Sequence, residues 1–190
     1  SGVVVSLEGS TSELTSSSGY YSFADLVAGT YTLTPSKSGW TFVPQTRTVS
    51  VPPDALTQDF VGARVSISHI EVTQATQDED NSVPLIAGKS TLVRVYVACG
   101  DGCAGASDVT GVLRGYGPSG ELSNSPLSPL NGSVTAYSTA WEAQRPDLQK
   151  TLNFWLPAEW RTGTVTLTAE ADGAVRSQAL SFQPAQTLHL

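Results

Sequence analysis

Apolar and polar residues alternate along short runs of this chain, and nearly every run stops at a glycine or a proline. Val3, Val5 and Leu7 fall on one face of an extended segment, as do Tyr31 and Leu33. A period of two marks a half-buried strand, because successive side chains point to opposite faces. The pattern predicts strands at Val3–Leu7, Tyr20–Phe23, Gly29–Pro35, Arg47–Val51 and Thr57–Phe60, with a weaker one near Glu13–Thr15. Turns are expected at Ser16-Ser17-Ser18-Gly19, at Pro35-Ser36-Lys37-Ser38-Gly39 and at Pro52-Pro53-Asp54. Short strands at such regular spacing predict an antiparallel sandwich.

The alternation resumes after Val61-Gly62-Ala63, where a boundary between residues 1–62 and 63–190 is expected. Its runs are Val65/Ile67, Ile70/Val72, Val93/Val95/Val97, Val109–Tyr116, Thr151–Leu156, Val165/Leu167/Ala169, Val175 and Leu180–Phe182. The apolar face switches parity between Ile67 and Ile70, which predicts a bulge or a strand shared by two packing surfaces. Asp172-Gly173 between two such runs predicts a tight hairpin. Seven or eight strands suit an immunoglobulin-like sandwich. The fold class expected for the whole chain is therefore all-β, as two tandem antiparallel sandwiches.

Residues 1–62 carry a set of glycines, aromatics and prolines in fixed order: Gly19-Tyr20-Tyr21-Ser22-Phe23, Leu26, Gly29-Thr30-Tyr31, Gly39-Trp40-x-Phe42-x-Pro44 and Val49-x-Val51. This order resembles the carboxypeptidase regulatory-like module (transthyretin-like, Cna-B-like) of bacterial secreted and surface proteins. The resemblance implies a seven-stranded sandwich with a non-catalytic role. Members of that family begin with a further strand, of the type Ile-x-Gly-x-Val, that has no counterpart ahead of Ser1-Gly2-Val3. Preceding sequence, the partner domain or a strand from a neighbouring subunit is expected to fill the place it leaves. The second part, through Ile70–Gln77, Val83–Val97 and Leu152–Trp160, is similar to Ig-like segments that precede the catalytic domain of some large secreted bacterial metallopeptidases. On that resemblance Gln186–Leu190 begins the first strand of a following domain.

Composition narrows the function classes. The charged fraction is 14% and the net charge −7, with ten basic residues scattered singly. Phosphate binding needs clustered Lys and Arg, so nucleic acid is not an expected partner. No apolar run is long enough to cross a bilayer. The chain has no Met, and no signal peptide is visible, so it reads as an internal piece of a longer exported precursor. Cys99-Gly100-Asp101-Gly102-Cys103 brings two thiols within reach of a disulfide. Free thiols are the alternative; half of a metal site is the third reading, but no second Cys or His pair completes it. A disulfide would place the chain in an oxidising, extracellular compartment.

The remaining motifs weigh lightly. Gly115-x-Gly117-x-x-Gly120 matches a dinucleotide fingerprint, but Pro118 and the polar run after it open no helix, so a β-turn is expected. His69 and His189 are the only histidines, and neither lies in a triad or zinc motif. His69 is expected as a partly buried structural imidazole continuing the Val65/Ile67 face. Asp78-Glu79-Asp80-Asn81 gathers oxygen ligands without EF-hand spacing, which makes Asp78 and Asp80 weak calcium candidates. Of the four tryptophans, Trp40 and Trp155 are expected in packing, and Trp141, in a polar stretch, as an exposed aromatic able to contact a glycan. Asn131-Gly132-Ser133 fits the N-glycosylation pattern. No catalytic residue and no cofactor are assigned.

The function expected from these readings is a structural or adhesive segment of a secreted or cell-surface bacterial protein. It would join neighbouring domains or copies of itself by β-strand addition, and such addition in trans would build a filament. Two alternatives are an ancillary region of a secreted metallopeptidase and a carbohydrate-binding module.

Overall fold

The computed structural model describes residues 2–8, 11–37, 39–75, 77–78, 82–100, 103 and 105–186. The chain is all-β. Its strands are β1 (Val4–Leu7), β2 (Thr11–Leu14), β3 (Gly29–Ser36), β4 (Trp40–Val43), β5 (Arg47–Val51), β6 (Val61–Thr73), β7 (Leu85–Ile86) and β8 (Leu92–Cys99). They continue as β9 (Ala106–Val109), β10 (Gly111–Gly117), β11 (Gly120–Glu121), β12 (Val134–Ala136), β13 (Leu152–Trp155), β14 (Gly163–Ala171) and β15 (Ala174–Gln183). The one α-helix among the described residues, α1, is a single turn at Trp141–Gln144.

Four strands in the order β2-β1-β3-β5 form the first sheet. Its inner face places Val5, Leu7 and Leu33 in a small core, against which Tyr21, Phe23, Leu26 and Phe60 pack. The second part stacks the strands β13-β8-β6 against a sheet in the order β11-β10-β14-β15-β7, with a β12-β9 ribbon beside them. Its core is far larger, running from Val65 through Val95, Leu113, Phe154, Trp160 and Leu167 to Phe182. β7 and β15 pair in parallel, an exception to the expected antiparallel order.

The expected boundary falls inside a strand. β6 runs unbroken for 13 residues. Its first four residues pair with β4 of the N-terminal part, and the rest pair with β8 of the C-terminal part. Gly62 permits this: a Cβ there would lie 2.9 Å from the Phe42 ring and 3.2 Å from that of Trp40. Farther along, the register shifts between Ile67 and His69, at the parity switch seen in the sequence. The bulge keeps Val65, Ile67, Ile70 and Val72 in one core and turns Glu71 to the opposite face.

Two expected strands are absent. Tyr20–Phe23 and Thr57–Phe60 are irregular, although Tyr21, Phe23 and Phe60 still pack on the core. The backbone explains this. Asp25 and Thr57 both sit at φ 55, outside the extended region. Pro52 and Pro53 carry no N–H to donate to a ladder. The turns are as expected elsewhere: Asp172 and Gly173, at φ 44 and 79, close the β14–β15 hairpin, and Pro118-Ser119 closes β10–β11.

Candidate functional site

The densest group of polar side chains lies on the outer face of the β6–β8 pair, beneath the strap 137–151. β6 supplies Glu71 and β8 supplies Arg94 directly opposite it in the ladder. They are 4% and 7% exposed. Arg94 donates from Nη1 to Glu71 Oε2 at 3.2 Å, and Arg145 donates from Nε to Glu71 Oε1 at 2.8 Å. The Tyr96 hydroxyl donates to Glu71 Oε2 at 2.5 Å. Arg94 also donates to the carbonyls of Arg145 and Asp147 and to Thr151 Oγ1, at 2.9, 3.2 and 3.2 Å. A buried charge survives only where its partners replace water, and here three donors surround one carboxylate. Burial, then the bond to Glu71, pushes the Tyr96 phenol well above its ordinary pKa. Each group is committed to another, so the cluster acts as a clamp that fastens the strap to the sheet.

Trp141 belongs to this strap. It stacks on His69 with ring centroids 4.2 Å apart and meets Tyr96 edge-on at 5.5 Å. The expectation of an exposed Trp141 is therefore corrected: it is half-buried, because His69 offers it a flat face. His69 is a partly buried, packed imidazole as expected, but on the other face. The bulge takes it off the Val65/Ile67 face and sets it against the strap. Trp155, expected in packing, is 55% exposed on the edge strand β13. Trp160 fills the core over Gly115, where a Cβ would come within 2.6 Å of its ring. That contact, with the β10–β11 turn, accounts for two glycines of the apparent dinucleotide motif.

Cys99 and Cys103 form the disulfide, with Cα atoms 6.0 Å apart. The bridge closes the end of β8, where Gly100 N–H donates to the Arg64 carbonyl at 3.1 Å. Asp78 accepts from Ser82 N–H at 2.7 Å and from the Ser82 hydroxyl. These bonds hold its carboxyl below the usual carboxylate range. Both Asp78 oxygens thus serve a local turn; Asp80 and His189 lie outside the described residues. No group of three or more metal-ligating side chains is found among the described residues. Asn131 is occupied as well: its Nδ2 donates to the Thr151 carbonyl at 2.9 Å and its Oδ1 accepts from Asn153 N–H at 3.2 Å. No helix among the described residues is long and apolar enough to cross a membrane.

A second feature lies in the N-terminal part. Between the first sheet and the irregular segments 20–26 and 54–59 runs a groove of about 640 Å³. Leu7, Leu33 and Val49 from the sheet line it, with Tyr21 and Phe23 opposite. The Tyr21 hydroxyl donates to the Gln58 carbonyl at 2.5 Å and ties the two segments together at one point.

Sequence reasoning missed the clamp, although a signal was present. Ile70-Glu71-Val72 and Val93-Arg94-Val95 each set one charge, of opposite sign, in the middle of an apolar run. Residues 1–60 match the family model described as BOS complex subunit NOMO1-like, second beta sandwich domain. No curated protein matches the chain, and no solved structure matches it. Over its first third the chain is thus similar to a β-sandwich module.

Proposed function

We propose that the chain is a non-catalytic structural segment of an exported protein. In this reading two sandwich modules, residues 1–62 and 63–190, form a stiff spacer that joins partners by strand addition. The carboxypeptidase regulatory-like and Ig-like identities of the modules belong to the same proposal. The observation that carries it is β6, one strand in the ladders of both parts. A shared strand removes the flexible linker that normally lets neighbouring domains reorient. Two side contacts brace the junction: Gln45 Nε2 donates to Ser107 Oγ at 2.6 Å, and Gly39 lies close against the Asp172 carbonyl. The Cys99–Cys103 bridge suits an oxidising compartment.

Spin labels at exposed Ser12 and Arg176, one in each module, test the spacer. A single narrow distance distribution by double electron–electron resonance is expected. A broad distribution, like that of domains on a loose linker, would refute it.

A further inference from the structure

We propose that the groove between the first sheet and segments 20–26 and 54–59 is a docking site for an extended strand of another polypeptide, one with alternating apolar residues and flanking Lys or Arg. This deepens the strand-addition part of the proposed function and rests on it.

Three observations converge. The groove is apolar inside: Leu7 and Leu33 lie buried beneath its floor, and Val49, Tyr21 and Phe23, only partly buried, give it its apolar lining. Its rim leaves Tyr20 and Leu56 exposed, Leu56 at 73%. Contiguous apolar surface rimmed by polar residues is the form that interaction grooves take. Its two sides are main chain without a ladder. Among the described residues, no main-chain amide of Tyr21–Leu26 or Ala55–Asp59 donates to a main-chain carbonyl. An extended peptide supplies what such strips lack, because its own N–H and C=O groups pair outward while alternate side chains enter the groove.

The third observation is charge. Asp25, Asp54 and Asp59 line the groove, and no basic side chain lines it with them. Arg47, outside the lining, donates to the Asp59 carbonyl at 2.9 Å and lies over the Phe60 ring. An occupant with Lys or Arg beside its apolar residues meets opposite charge there. A second copy of this chain, at net charge −7, approaches against its own field. The charge therefore favours a basic strand over self-association.

The test uses the whole 190-residue chain and a short synthetic peptide that alternates valine with threonine and ends in lysine at both termini. Isothermal titration should show binding that weakens with salt. Hydrogen exchange should show new protection at amides 21–26 and 55–59. Asp25→Asn combined with Asp54→Asn and Asp59→Asn should weaken binding about tenfold or more, and Leu56→Asp should abolish it. All these positions are exposed, so the variants keep the fold; circular dichroism verifies this. A peptide with glutamate in place of lysine should bind far more weakly. Equal binding of both peptides would overturn the proposal, as would protection confined to other sheet edges. Concentration-dependent self-association that protects the same amides without peptide would also overturn it, in favour of exchange between copies. None of these outcomes alters the spin-label distance, so the spacer and the docking site fail independently.

Discussion

Glu71 holds together groups that are distant in sequence: Arg94 and Tyr96 from the adjacent strand and Arg145 from the strap. Removing its charge leaves Arg94 buried without its counter-ion, and breaking a buried pair this way costs about 3–5 kcal/mol. Glu71→Gln should therefore lower the urea midpoint sharply and expose the strap to protease, with Trp141 fluorescence shifting red. Tyr96 adds a pH dependence. Its folded pKa lies above the ordinary 10.0, so the unfolded chain ionises first. Stability from the neutral phenol is full below the unfolded value and is lost as pH rises past about 10. Urea midpoints between pH 8 and pH 11, values chosen to bracket a tyrosine's ordinary pKa of about 10, should fall with pH in the wild type and stay flatter in Tyr96→Phe. Glu71 and Arg94 were individually legible as odd charges within apolar strands. Their partnership was not, because Arg145 lies in a polar stretch with no periodicity to give it a face.

At the scale of elements, the disulfide shows how a short loop acts on its surroundings. Its sequence separation is four, so the chain-entropy estimate for breaking it is about 2 kcal/mol. Cys103→Ser with Cys99→Ser should reduce the melting temperature by several degrees, roughly what about 2 kcal/mol means for a chain of this size. An unchanged melting curve would show that the loop is held by its other contacts alone. Alternation placed β1, β3, β5, β8, β14 and β15 correctly, since each has one face in a core. It failed at Tyr20–Phe23 and Thr57–Phe60, whose aromatics imitate strand patterning while Asp25 and Thr57 leave the extended region. β4 carries the Gly39-Trp40-x-Phe42-x-Pro44 order, but nothing in that order shows that its partner is β6. β12 went unseen as well: it is short, and nothing local marks its pairing with β9.

For the molecule as a whole, the two parts differ in what they bury. The core cluster of the N-terminal part is Val5, Leu7 and Leu33 alone among its described residues, whereas the C-terminal part has an extended core. A sandwich that small is marginal by itself. Native-state hydrogen exchange should show β1, β2 and β5 opening at lower free energy than β8, β10 and β14. Uniform protection across both would show that β6 couples them into one cooperative unit. The switch in facing residues at Ile67–Ile70 was visible in the sequence, and of its two expected readings the bulge is the one found, since the residues on both sides of it stay in one core. That β6 is shared by the two parts, through Val61–Arg64, was not visible, because Val61-Gly62-Ala63 has the small, featureless composition of a linker.

Because β6 is common property, the molecule has no natural seam where composition suggests one. A gene fragment cut after Gly62 or Ala63 would deprive the Trp40–Val43 ribbon of its neighbour and leave the downstream piece with a frayed overhang. Anyone excising the larger half for crystallisation or grafting should carry the Trp40–Val43 ribbon with it, since Val61–Arg64 pair with no other strand among the described residues, and anyone shuffling modules should keep β6 and that ribbon together.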